Sequence, residues 1–360
     1  MGTITRSFAN NITSGGTFDA TDLTGTIPAS NIADASVGNI TAVPALTSVS
    51  TVASDPPSPD AGQVWYNTTD KALRAYVLGA GTWATGGALN TGRQQGSPSS
   101  AGTQTASLYV GGTSPTTGAT ELYDGTSWTE IADLNTARYL MPGAGTTTSA
   151  LVFGGSTSTP ANPGTGALNE SFNGTSWTEL ADLNLIRRRS GGCGASNTSA
   201  LTFGGTNTPG TFTANTETWN GSSWTEVNNL NSAKDQVGSA GIVTAALCVG
   251  GYNPVALANT ESWNGTSWTE VADLNTARSG LGSAGTQTSA LAFGGATPDK
   301  ANTEEWNGSS WTETSDLSTA RSGLVGSGTT AAALAFGGSP NLAATEEWTV
   351  ANVTTDLGVS

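Results

Sequence analysis

The sequence predicts an all-β chain of repeated four-stranded sheets. Three observations predict it: a composition of strand and turn formers, a repeat of 43 to 50 residues, and a Trp at one fixed place in the repeat. Gly supplies 48 of the 360 residues and only 11% are charged, whereas helices draw on Glu, Lys, Leu and Arg. So Gly-rich a chain also fits disorder, but eleven Trp, most of them regularly spaced, require a packed core.

Each unit reads Trp-Thr-Glu-x-x-Asp-Leu-Asn-x-Ala-Arg, a Gly-rich stretch, Ser-Ala-Leu-x-Phe-Gly-Gly, a loop, then Asn-Thr-Glu-x-Trp-Asn-Gly-Ser-Ser-Trp. The Gly pairs begin at Gly111, Gly154, Gly204, Gly250, Gly294 and Gly337, with spacings of 43, 50, 46, 44 and 43 residues. Trp83, Trp128, Trp177, Trp224, Trp268 and Trp311 keep the same beat. Ten positions after each stands a basic residue: Arg93, Arg138, Arg187, Lys234, Arg278 and Arg321.

Strand one follows the basic residue, strand two ends in Gly-Gly, strand three carries Glu-x-aromatic, and strand four carries the Trp. Between strands three and four, Asn-Gly, as in Asn264-Gly265, signals a tight hairpin because both residues accept positive φ. Four antiparallel strands in a period of this length are the arithmetic of a β-propeller blade. Six units give six blades. Residues 61–85 form a short β-module, read either as a strand that closes the ring or as a partial seventh blade; six is the favoured count. The last unit has Val353 where Trp is expected, which predicts a frayed or specially closed final blade.

With these marks the chain resembles the kelch repeat from Arg93 to about Asp356. The resemblance implies a kelch-like propeller over 86–360. The competing WD40 repeat lacks its Trp-Asp and Gly-His signatures, and the chain has no His.

Residues present in every unit are explained by the blade. Glu121, Glu170, Glu217, Glu261, Glu304 and Glu346 are expected to pair with the basic series, since a buried charge needs a partner. Tyr123, Phe172, Trp219, Trp263, Trp306 and Trp348 are expected to pack between sheets. Cys193 and Cys248 are read as two free buried thiols.

Function is sought where the units differ. The distance from Gly pair to next Trp runs 17, 23, 20, 18 and 17 residues, so length varies in the loop between strands two and three. That loop shares an end of the blade with the connection to the next strand one. The candidate binding face there comprises Tyr139, Arg187, Arg188, Arg189, Phe212, Tyr252, Asp299 and Lys300, with the Pro-rich loop from Ser156 to Leu168. Off-pattern aromatics suit stacking on sugar rings or on a protein surface. The Arg run suits a sulfated or carboxylated glycan, or pairing with Asp182.

A formal charge of −15 argues against nucleic acid or an anionic membrane as partner. No segment has the roughly 20 apolar residues of a membrane helix, and the start lacks the pattern of a signal peptide. Without His there is no His general base and no imidazole metal site, so no catalytic residue, metal or cofactor is expected; carboxylate-only glycosidase chemistry stays open.

Residues 1–60 are rich in Thr, Ser, Asn, Ala and Asp and end in Asp55-Pro-Pro-Ser-Pro-Asp60, a stretch read as extended or ordered by partners. The run from Ser7 through Gly25-Thr-Ile-Pro-Ala-Ser resembles the start of tail-fibre and virion structural proteins of marine phages. The module Gly62-Gln-Val-Trp-Tyr-Asn-Thr-Thr-Asp is similar to one found in such fibres. The resemblance implies a virion-anchoring leader that contacts other virion proteins, a host-facing propeller, a location on the extracellular particle, and a closed homo-oligomer such as a trimer. The expectation is therefore a non-catalytic phage appendage or decoration protein recognising a host glycan or protein. Particle cement without a receptor is the alternative, and a glycan-active enzyme follows it.

Overall fold

The structure is a computed structural model that describes residues 50–60, 62–113, 115–157, 166–208, 211–296 and 298–357. The leader up to residue 49 and positions 158–165 of the Pro-rich loop lie outside the described residues. The chain divides into two compact units, residues 81–349 and residues 1–80 with 350–360. All regular elements among the described residues are β-strands.

The larger unit is a β-propeller. Sheet two shows the plan: Gly143–Thr146, Ser149–Phe153, Asn169–Phe172 and Trp177–Glu179 run antiparallel in sequence order. Five such sheets follow one another, beginning with the first strands Ser97–Pro98, Gly143–Thr146, Gly191–Ser196, Gly238–Ile242 and Gly282–Gly285. A sixth has Val325–Gly328, Ala332–Phe336, the start of Thr345–Asp356 and, as its fourth strand in this unit, the end of Ala72–Thr85. The unit boundary falls within both long strands. Residues 81–85 thus complete the last sheet, and Trp83 stands 5.4 Å from Trp348, the place its repeat leaves to Val353. The propeller accordingly begins at Gly81, five residues before the boundary that the repeat alone sets, because the closing strand precedes the first complete unit.

First strands of neighbouring sheets touch in a cycle, the sixth against the first. They are Gly-rich where neighbouring sheets approach closely: a Cβ on Gly326 would lie 2.3 Å from the Phe293 ring, and one on Gly143 2.3 Å from Ser97 Oγ.

The core lies between sheets. One cluster joins Leu151 and Phe153 of sheet two to Trp219 and Trp224 of sheet three. Each strand-four Trp faces the strand-three aromatic of its own sheet, with centroids 5.0 to 5.4 Å apart. Four of these tryptophans also reach a Phe of the preceding sheet, as Trp268 does Phe203 at 4.8 Å. Cys193 and Cys248 are free and share one cluster, and burial pushes both thiols up to about 12.

The Asn-Gly hairpin forms for a different reason than the sequence predicts. Only Gly takes positive φ there, as Gly174 does at 94°, while Asn173 is not left-handed. Asn173 Oδ1 instead accepts the amides of Thr175 and Ser176 at 2.9 Å, capping a four-residue loop.

In the smaller unit Ser50–Val52 pairs parallel with Val64–Asn67, which pairs antiparallel with the start of Ala72–Thr85. Asp55 gathers Arg74, Asn67 and the Trp65 indole, and these hydrogen bonds hold its carboxyl at about 2.

Candidate functional site

The basic series and the strand-three Glu series pair inside the sheets. Arg138, Arg187, Lys234, Arg278 and Arg321 meet Glu170, Glu217, Glu261, Glu304 and Glu346 at 2.5 to 3.2 Å, and Arg93 meets Glu121. In each pair the two residues belong to the same sheet, and all twelve side chains are at most 3% exposed. The second carboxylate oxygen takes a backbone amide, as Glu304 takes Asn275 N–H at 2.7 Å. Burial lowers the affinity of Arg278 for its proton, and the Glu304 carboxylate opposes that.

The Gly pairs staple sheet to sheet. Gly112, Gly155, Gly205, Gly251 and Gly295 each donate an N–H to the carbonyl of the next sheet's basic residue, at 2.8 to 3.1 Å. Gly338 donates to Arg93 at 3.0 Å and closes the cycle. Only Gly fits, since a Cβ on Gly154 would stand 2.7 Å from Arg187 O at a φ of 69°.

A second cycle is invisible in the repeat. Two positions after each basic residue stand Gln95, Leu140, Arg189, Gln236, Gly280 and Gly323, all at φ between 54° and 61°. Each donates its N–H to the carbonyl of the one before, at 2.8 Å, and Gln95 donates to Gly323. Two Gln, two Gly, a Leu and an Arg share no residue type and give no sequence signal; only the constant offset from the basic series could have revealed the ring.

The ring frames the mouth of an axial cavity of about 170 Å³. Met141, Val237, Leu281 and Leu324 line it with Ser239 and Ser283, and all six ring residues reach it. This mouth lies at the end of the long loops: Tyr139 pairs with Ser156, Arg188 with Thr206, and Asp235 with Tyr252, joining each strand-one entry to the residue after a Gly pair.

The structure sorts the predicted binding face. Tyr139, Arg188, Arg189, Phe212 and Tyr252 fall on one flank of the mouth, across sheets two, three and four. Phe212 pairs with Thr206 in a short ribbon, and its ring lies 6.0 Å from Tyr252. Arg187 does not belong to this face: it is fully buried and held by Glu217 at 2.5 Å. Tyr139 is 3% exposed, too covered to be a stacking platform. Asp299 and Lys300 sit on the loop of sheet five, apart from this flank; Asp299 is exposed. Asp182 is no partner of the Arg run either; Arg189 approaches Asp235, at 3.8 Å. Sequence reading missed Asp235, 2% exposed, whose Oδ2 accepts the Thr206 hydroxyl at 2.6 Å. Burial pushes its carboxyl up, and the Thr206 hydrogen bond and Arg189 only partly oppose this.

No protein-family model and no curated protein matches the chain. Among solved structures 434 chains match, and a fold shared so widely fixes no activity. One of them is YjhT, at 13% identity and a TM-score of 0.59, covering 76% of this chain and 100% of its own. At that identity the likeness establishes the β-propeller fold alone.

Proposed function

We propose that this chain is a non-catalytic virion structural protein of bacteriophage type. Its propeller, read as kelch-like with six blades, presents the long-loop end to a host-surface glycan or protein. The observation that carries the reading is the division of labour between the ends. The buried Glu series and the basic series are consumed within the sheets, and the off-pattern Arg and aromatic side chains collect beside an open axial mouth. The leader's resemblance to phage fibre proteins supports attachment to other virion proteins through residues 1–60, in a particle-borne homo-oligomer such as a trimer.

A carboxylate-dependent enzyme is less well supported. Two-carboxylate glycoside chemistry needs a second acid beside Asp235. Glu121, Glu170, Glu217, Glu261, Glu304 and Glu346, at most 3% exposed, are all engaged by basic groups.

Cryo-electron microscopy of a particle carrying the chain, together with adsorption assays, tests the proposal. The expected result is a loop end that faces outward, with free full-length chain blocking particle adsorption to host cells. A loop end buried against a neighbouring chain, with no block of adsorption, makes the protein a cement instead.

A further inference from the structure

The flank of the mouth between sheets two and four holds two adjacent guanidinium groups and one carboxylate. Arg188 is 7% exposed, and its Nε is buried without a hydrogen-bond partner among the described residues. No carboxylate among the described residues lies within ion-pairing distance of it, in contrast to the six basic residues of the repeat. Arg189, one third exposed, lines the cavity; its Nε likewise has no partner among the described residues, and its contact with Asp235 is long, at 3.8 Å. Asp235 is already engaged by Thr206 at 2.6 Å and Gln236 at 3.4 Å. A desolvated guanidinium without a counter-charge is unfavourable, and a bound oxyanion would relieve both groups at once. Guanidinium forks match carboxylate and sulfate oxygens in geometry. The backbone pairings Arg188 to Thr206, Thr206 to Phe212, and Asp235 to Tyr252 set the Phe212–Tyr252 aromatic pair beside the same flank.

We propose that this mouth binds an acidic saccharide, with Arg188 and Arg189 holding its carboxylate or sulfate and the Phe212–Tyr252 pair bearing on the sugar ring. The proposal rests on the recognition reading above and gives it a ligand class. Aromatic faces and an oxyanion fork are together the chemistry of a charged sugar.

The test is isothermal titration of the full chain with glucuronate, glucose 6-sulfate, glucose and sodium sulfate. Both acidic sugars are expected to bind, glucose about tenfold more weakly or not at all, and Arg188→Gln and Arg189→Gln each to weaken the acidic sugars about tenfold. Asp235→Asn removes the competing carboxylate and is expected to tighten binding about threefold, a gain that damaged folding cannot imitate. Equal binding of glucose and glucuronate, or unchanged affinity in both Arg variants, overturns the proposal. So does sodium sulfate binding as tightly as glucose 6-sulfate, which would mean a free inorganic anion only. Adsorption to host cells separates the two claims. Acidic sugars that bind the pure chain while the chain fails to block adsorption sink the recognition reading and leave the site. Blocked adsorption with no sugar binding does the reverse.

Discussion

Removing one member of a repeated ion pair leaves the other charged and enclosed by its sheet. Glu304 takes Arg278 on one oxygen and the Asn275 amide on the other, with Arg278 fully buried. Glu304→Ala is therefore expected to cost about 3–5 kcal/mol, read from the urea midpoint. Replacing both residues together, Arg278→Met with Glu304→Leu, is expected to recover most of that loss. A single-variant cost below about 1 kcal/mol, the value of an exposed pair, would show that the pair is not a structural charge. Asp235 carries the opposite sign. Its carboxyl is raised by burial, so the native state holds its proton more tightly than the unfolded chain does. That contribution is full below the ordinary value of about 3.9 and is lost as pH rises through the folded value. Asp235→Asn should accordingly melt higher than the parent at pH 7 and lose its advantage below about pH 4. If it melts lower at pH 7, attraction to Arg189 outweighs the desolvation of the carboxylate.

At the scale of the element, the strand-four tryptophans link each sheet to the one before it. Trp83, Trp128, Trp268 and Trp311 donate their indole N–H to a Thr hydroxyl on the preceding sheet's third strand, at 2.9 to 3.2 Å. Trp177 reaches the Ala132 carbonyl instead, at 3.0 Å. Among the described residues Trp224 has no partner, because the position that is Thr in the other sheets is Asn169, which spends its amide on the Ala181 carbonyl and leaves its own oxygen unpaired. Asn169→Thr restores the acceptor, and we expect it to stabilise the protein by about 1 kcal/mol in urea unfolding. An unchanged midpoint would mean that solvent already satisfies both groups. The Thr was legible in the repeat as part of Asn-Thr-Glu, but its task was not, because its partner Trp belongs to a neighbouring unit. The hairpin gives the same lesson: Asn-Gly marked the turn, yet Asn acts there through its side-chain oxygen, and its backbone is not left-handed.

For the whole propeller unit, strands, ion pairs and aromatic packing could be read from the sequence because each repeats at a fixed offset. The mouth could not, because the ring of Gln95, Leu140, Arg189, Gln236, Gly280 and Gly323 conserves backbone geometry and not residue type. Arg187, Arg188 and Arg189 look alike in the chain. Their separation into a sheet ion pair, a buried guanidinium with no carboxylate partner among the described residues and a cavity-lining one follows from the isolated bridge at Arg188 and the turn at Arg189, where φ is 55°. Closure of the ring is likewise a property of the whole. Backbone bonds from Gly338 to Arg93 and from Gln95 to Gly323 join last sheet to first. Residues 81–85 add Trp83, which contacts Phe293 at 5.0 Å and Trp348 at 5.4 Å and donates to Thr303 at 3.0 Å. A chain of residues 81–349 keeps this strand and is expected to be monomeric with one cooperative melt. A chain of residues 87–349 loses it, at about 3–5 kcal/mol for the Trp packing alone, or a melting point lower by about 10 °C. It also bares the edge of the strand that starts at Thr345, a template for pairing with a second copy, so dimers should appear on size exclusion. If both chains melt together and stay monomeric, the two backbone cycles close the propeller unaided, and the strand at 81–85 only covers an edge.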